Sequence, residues 1–275
     1  MKNTALIERI DALITSLRSG AVEPVPAGQL PFLIGGTPVG HIDPADARFL
    51  EHYFRFFTLT SEGLILQPSS PDVLSRRLAV ASYALKEENR VLAWRDEMLP
   101  VVALGQDENT PNFGMIERAA CRIFGLTTFA VHLNAFTDDG RLWVAQRALT
   151  KSINPGMWDN IAAGIAPFGE TFDEAMDREA HEEAGIEPGT FRYRLIDKHL
   201  VARNVREGRM HEYTVVYVTR VPDDFAPHNI DGEVSRFALL TPEAILEDIK
   251  KEQFTFESAL STLVSLRYCA EHGFV

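Results

Sequence analysis

Glu179, Glu182 and Glu183 crowd into the stretch GIAPFGETFDEAMDREAHEEAGI, residues 164–186. Carboxylates three and four positions apart meet on one side of a helix, which turns once in about 3.6 residues. On such a helix Phe172, Ala175, Met176 and Ala180 form an apolar stripe. Glu179 and Glu183 fall inside that stripe, and Glu182 lies on its edge. Asp173, Glu174, Asp177 and His181 point elsewhere. A surface helix ordinarily puts its charges opposite its apolar stripe. Like charges one turn apart repel, and burying them without partners is costly. A hard divalent cation removes both difficulties, because Mg²⁺ is held by carboxylate oxygens. The alternative is a solvated acidic helix, or acids paired with Arg or Lys, and the face argues against it.

The helix that must carry these acids is marked at both ends. Thr171 followed by Glu174 fits a capping box. Gly185 can take the left-handed conformation that closes a helix, with Ile186 as the apolar residue beyond it. The helix is therefore expected at residues 172–184.

The spacing Gly164, Glu170, Arg178-Glu179-Ala180, Glu182-Glu183, Gly185-Ile186 resembles a complete Nudix box. A chance match is on the order of one in a million from average residue usage. Ala180 departs from the larger aliphatic residue usual in that family, which bears on packing rather than metal binding. The resemblance implies an α/β fold, a Nudix α/β/α sandwich with a mixed sheet. It also implies an enzyme that cleaves a diphosphate linkage with Mg²⁺ or Mn²⁺. By the same resemblance Glu179, Glu182 and Glu183 match the metal ligands and catalytic acids, with a backbone carbonyl near Ala163 or Gly164 completing the shell. Glu170 and Arg178 match a pair that ties loop to helix, and Gly185 is structural. Phosphoryl chemistry needs cations where negative charge accumulates and a polarised water as nucleophile.

Upstream, "LWVAQRA" and "PGMWDN" lead into the box, and "DGEVSRF" follows it. With a preceding α/β domain, this is similar to the Nudix region fused ahead of fungal thiamine pyrophosphokinases, and to its free-standing relatives. That likeness implies hydrolysis of thiamine diphosphate or its damaged analogues to the monophosphate. The box alone also allows a nucleoside diphosphate derivative such as ADP-ribose. "PGMWDN" resembles isopentenyl diphosphate isomerases too, but those carry a cysteine shortly after the Trp, and here Trp158 is followed by DNIAAG. A nucleotide-binding module without chemistry usually loses box glutamates, and this box keeps them. Glu233 sits where a further acid is often supplied near the metals, as base or ligand, against the reading of a surface acid. Arg147 and Lys151 are candidates for phosphate oxygens. Trp158 and Phe168 flank the metal loop and are candidates for stacking on a heterocycle, with core packing the competing reading for Trp158. Trp94-Arg95-Asp96-Glu97 reads as a buried Trp flanked by surface charges, or as an edge that touches substrate.

The rest of the chain bounds this reading. It has 275 residues, 45% of them hydrophobic, and a net charge of −12 from 39 acids and 27 bases. That balance argues against nucleic acid or an anionic membrane as a partner and suits a small-molecule diphosphate arriving with metal. A homodimer is compatible with it. Cys121 and Cys269 read as small buried hydrophobes, without zinc or disulfide spacing. The N-terminus lacks the apolar core of a signal peptide, and no stretch is long enough to span a membrane, so a reducing cytoplasm is expected. A helix with the stripe Leu6, Ile10, Leu13, Ile14 and Leu17 is capped by Asn3. It is followed by a hairpin about Gly35-Gly36, a helix from Pro44, two short strands and a helix from Pro71 to about Glu88. An extended run over residues 91–104, a polar loop from Gly105 to Asn112 and a helix at 113–124 complete a smaller α/β domain over residues 1–122. The second domain, 123–275, holds a hairpin turning at Asp139-Gly140, the metal helix, two long strands and a helical tail.

Overall fold

The computed structural model describes residues 4–106 and 112–272. Asn3 and most of the polar loop after Gly105 lie outside them. Helix α1, Thr4–Ala21, is followed by the hairpin β1, Leu30–Ile34, and β2, Thr37–Ile42. Gly35, at φ 63°, supplies the left-handed turn between them. Asp43 caps helix α2, Pro44–Tyr53, by accepting from the Ala45 N–H at 2.7 Å. Strands β3, Phe57–Thr60, and β4, Gly63–Leu66, then lead to helix α3, Pro71–Glu87. The four strands form one sheet in the order β2-β1-β4-β3, with β1 and β4 parallel. Phe32, Ile42, Leu50, Leu64, Leu66, Leu74 and Leu78 fill the core under it.

Two expectations change in the next stretch. The run 91–104 forms only one short strand, β5, Met98–Pro100, because Ala93 and Asp96 take left-handed conformations at φ 55° and 57°. The helix expected at 113–124 does not form. Residues Met115–Glu117 make strand β6 against β5, and Arg118–Ala120 make one 3-10 turn. Gly114, at φ 138°, starts this segment outside helical geometry. The Glu117 carboxylate then accepts from the N–H groups of Arg95 and Ala119 at 2.9 and 3.2 Å, so the local hydrogen bonds serve a cross-link.

The second sheet has seven strands. Along its main path the order is β11-β12-β7-β8-β13, and β10 and β9 pair with β7 and β8 respectively. Their spans are β7, Thr127–Phe136; β8, Leu142–Arg147; β9, Trp158–Asn160; β10, Ala162–Ile165; β11, Arg194–Val205; β12, Gly208–Arg220; and β13, Val234–Leu240. Strand β7 runs parallel to β12 and antiparallel to β8 and β10, so the sheet is mixed. Side chains alternate across a strand. Phe129, Val131, Leu133 and Ala135 therefore pack against helix α4, Phe172–Ala184. The other face meets helix α6, Phe256–His272, after helix α5, Pro242–Lys250. A polar network lies between sheet and α6: Asn160 donates to Asn134 and Thr262 at 2.8 Å, and its amide oxygen meets His132 Nδ1 at 2.7 Å. The helical tail is thus two helices, broken at Glu252, φ 55°.

Helices on both faces of a mixed sheet make an α/β/α sandwich, preceded by the smaller α/β unit. Helix α1 packs its stripe on the second unit, since Leu6 and Ile10 share a core with Leu263 and Leu266. The core of the first unit in turn continues through Phe124 and Leu126 to Ala130 and Ile165.

Candidate active site

The metal helix has the expected bounds because both of its ends are locally determined. Thr171 Oγ1 accepts from the Glu174 N–H at 3.2 Å, and Glu174 accepts from the Thr171 N–H at 2.8 Å. Gly185 closes the helix at φ 66°. Ala175, Met176, Ala180 and Ala184 are fully buried against the sheet, and this fixes the side on which the carboxylates emerge.

Glu183 is only 6% exposed and accepts the Ala163 N–H at 2.8 Å. Burial, reinforced by the neighbouring Glu179 carboxylate, pushes its carboxyl up to about 8. Burial also raises Glu179, although Arg178 opposes this. Gly164 lines the cavity beside Glu179, and a side chain there would collide with the Glu179 carboxyl. Glu182 is half-exposed at the cavity rim. Arg178 holds the group together. It reaches Glu170 at 3.1 Å, Glu179 at 2.7 Å, Glu182 at 3.3 Å and the Ile165 carbonyl at 3.1 Å.

Glu233 comes to the same place from the loop before β13. Oxygens of Glu183, Asp231 and Glu233 lie within 4.8 Å of one another. This all-oxygen set, which includes the buried Glu183 carboxyl and has further carboxylates on the same helix, fits a hard divalent cation. Asp231 was not singled out in the sequence. Its signal was its place two residues before Glu233 in DGE, where the Glu233 N–H donates to the Asp231 carboxylate at 2.8 Å.

The site opens into a cavity of about 830 Å³. Lys151 lines it and pairs with Glu233. Arg147 also lines it, but is committed to Asp159 at 2.8 Å and to the Ile153 carbonyl at 3.0 Å. Trp158 is placed in the core with Ile245 and Phe254, under the Arg236 guanidinium, and does not line the cavity. Alternation along β9 explains this: Asp159 faces the cavity, while Trp158 and Asn160 face α6. Phe168 is exposed and outside the lining, and its N–H donates to the Met98 carbonyl at 2.9 Å. The cavity also takes Arg95, Glu97, Arg118 and Arg122 from the first unit, and Glu212 and Glu257 from β12 and α6. Of these, only the segment 94–97 had been weighed in the sequence.

Known proteins resemble the chain in both units. Residues 127–260 match the NUDIX domain, and residues 22–128 match a domain of unknown function, DUF4743. The chain is 30% identical over 262 residues to "Nudix hydrolase 24, chloroplastic" of Arabidopsis thaliana, covering 90% of this chain and 68% of that one. It is 32% identical over 151 residues to an isopentenyl-diphosphate Delta-isomerase of Leifsonia xyli, covering 52% of this chain and 76% of that one. Among solved structures, DR0079 from Deinococcus radiodurans is similar at 23% identity and a TM-score of 0.44, over 62% of this chain and 99% of that one. With the box intact, its acids gathered at one cavity and a relative matched across both units, the chain belongs to the Nudix hydrolase family.

Proposed function

We propose that this Nudix hydrolase is metal-dependent and cleaves the diphosphate linkage of a small molecule, with thiamine diphosphate or its damaged analogues as first candidates. The observation that carries the reading is the buried Glu183 carboxyl meeting Asp231 and Glu233 beside Glu179. A bound Mg²⁺ or Mn²⁺ would supply charge neutralisation on the phosphates and a more acidic water. The residues that would hold it are Glu179, Glu182 and Glu183, with Asp231 or Glu233 adding an oxygen. Whichever of Asp231 and Glu233 stays free is placed to accept a proton from the attacking water. Lys151, released from or shared with Glu233, offers an ammonium to a phosphate oxygen.

The cavity wall favours a ligand with a cationic portion. Glu212 and Glu257 both line the cavity, and burial, reinforced by the Glu212 carboxylate, raises Glu257. A thiazolium suits that wall better than a neutral purine does. Hydrolysis would then give the monophosphate ester and inorganic phosphate. Isomerase chemistry is disfavoured because both cysteines are buried and their thiols are pushed up to about 12. Two free cysteines also support a reducing compartment, which the cytoplasm provides. Among the described residues no helix is long and apolar enough to cross a membrane. We place the division between the DUF4743-like unit and the Nudix unit near residues 122–127.

The test is a side-by-side assay with Mg²⁺ of thiamine diphosphate, its oxidised analogues, ADP-ribose and nucleoside triphosphates. The thiamine compounds should lead in kcat/KM. A nucleotide ahead by more than about tenfold, roughly 1.4 kcal/mol of transition-state preference, would sink the thiamine reading and leave diphosphate hydrolysis standing.

A further inference from the structure

The first unit sends Arg95, Arg118 and Arg122 into the cavity, and a buried carboxylate holds the Arg95 backbone and the turn that begins at Arg118. Glu117 is only 2% exposed. It accepts from the Arg95 N–H at 2.9 Å and from the Ala119 N–H at 3.2 Å, at the turn that starts with Arg118. The Arg118 N–H donates to the Glu97 carbonyl at 2.8 Å, and Met98 pairs with Glu117 in the β5–β6 ladder. Residues 95–98 and 117–119 are therefore one cross-linked edge. Arg118 lines the cavity with Glu179 and Glu182, and its charge favours the ionised form of Glu179. One of its nitrogens meets Glu97 at 2.7 Å, which leaves part of the guanidinium fork open. Arg95 is exposed, makes no ion pair among the described residues, and reaches across to the Ser152 hydroxyl at 3.4 Å, next to Lys151. Glu117 thus commits a buried carboxylate to the Arg95 N–H and to the turn at Arg118, at the edge of an acid-rich site.

We propose that Arg95 and Arg118 bind the diphosphate of the substrate through its non-bridging oxygens, so that the DUF4743-like unit supplies part of the substrate site. This rests on the hydrolase reading above. A guanidinium presents parallel N–H donors that match phosphate oxygens, and it stays charged at any working pH. The carboxylates of α4 face the same cavity and would repel a diphosphate unless cations stood opposite them. Arg95 and Arg118 bring two positive charges from the first unit to that cavity. Glu117 is a positioning residue in this arrangement and does not touch the ligand.

The experiment uses the full chain and methylenediphosphonate, a diphosphate whose bridge cannot be hydrolysed, titrated calorimetrically with saturating Mg²⁺. Arg95→Ala and Arg118→Ala should each weaken binding about tenfold, and the double variant more, with Mn²⁺ affinity within twofold of the parent. Arg118→Lys should recover part of the loss. With a turned-over substrate the same variants should raise KM at least tenfold and lower kcat less than threefold. Arg95 makes no ion pair among the described residues, so Arg95→Ala keeps the test clear of folding defects, and its melting temperature should match the parent's. Unchanged diphosphonate binding in the double variant overturns the inference, as does a parent protein that fails to bind the diphosphonate. The hydrolase reading fails separately, when the diphosphonate binds but no diphosphate compound is turned over.

Discussion

At the scale of single residues the site trades stability for chemistry. Glu183 is buried beside Glu179 and accepts the Ala163 N–H. A carboxamide would keep that hydrogen bond and remove the repulsion. Glu183→Gln should therefore leave the melting temperature of the metal-free protein equal or higher, while turnover falls at least about a hundredfold because charge stabilisation of the transition state is lost. Near-normal turnover at saturating Mg²⁺ would remove the metal centre from the account. Arg178 behaves in the opposite way. It joins Glu170, Glu179, Glu182 and the Ile165 carbonyl, so its loss leaves a partly buried carboxylate cluster unpaired. Arg178→Ala should lower both rate and stability, the latter by about 2 kcal/mol given that the group is about a third exposed. Thermal unfolding and kinetics on the same sample decide it: an unchanged melting temperature with lost activity would make Arg178 a direct phosphate ligand.

At the scale of elements, helix α4 and strand β10 form one device. Gly164 lets the Glu179 carboxyl lie against the strand backbone, where a methyl group would displace it. Gly164→Ala should cut activity at least about thirtyfold with little loss of fold, because the residue is part of a paired strand whose backbone is ordinary. Circular dichroism beside an activity assay checks this, and full activity would show that Glu179 can move without consequence. This device was legible in the sequence, since caps and a stripe of 3.6-residue period are local signals. The hairpins at Gly35-Gly36 and Asp139-Gly140 were legible for the same reason. The segment 113–124 was not. Ile116, Ala120 and Phe124 repeat every four residues and imitate a helix, whereas β5 pairing and the Glu117 cross-link are long-range and leave no period. Asp231 was missed because a carboxylate in a turn has no face until the turn is folded. For Trp158 the sequence leaves both stacking and core packing open, and the phase of β9, which decides for the core, comes only with its pairing to β8.

At the scale of the whole molecule, the two units are joined too closely to act as independent domains. Leu126, Ala130 and Ile165 complete the core of the first unit from the second, while α1 completes the second from the first. The chain after α1 also covers the outer edge of the second sheet. Val22 bridges to Ala202 of β11, the Glu23 N–H donates to the Ala202 carbonyl at 2.8 Å, and Arg209 donates to the Glu23 carbonyl at 2.9 Å. An edge strand capped in this way is protected from pairing with another chain. Opening either unit would expose apolar surface in both, at roughly 25 cal/mol per Å². The protein should therefore unfold in one cooperative transition, with calorimetric and van't Hoff enthalpies equal within error. Met98 and Phe168 are hydrogen-bonded across the join, so the metal loop shares that cooperativity. Two resolved transitions in differential scanning calorimetry would show that the units melt separately. The cavity between them would then have to be assembled anew each time the first unit reformed.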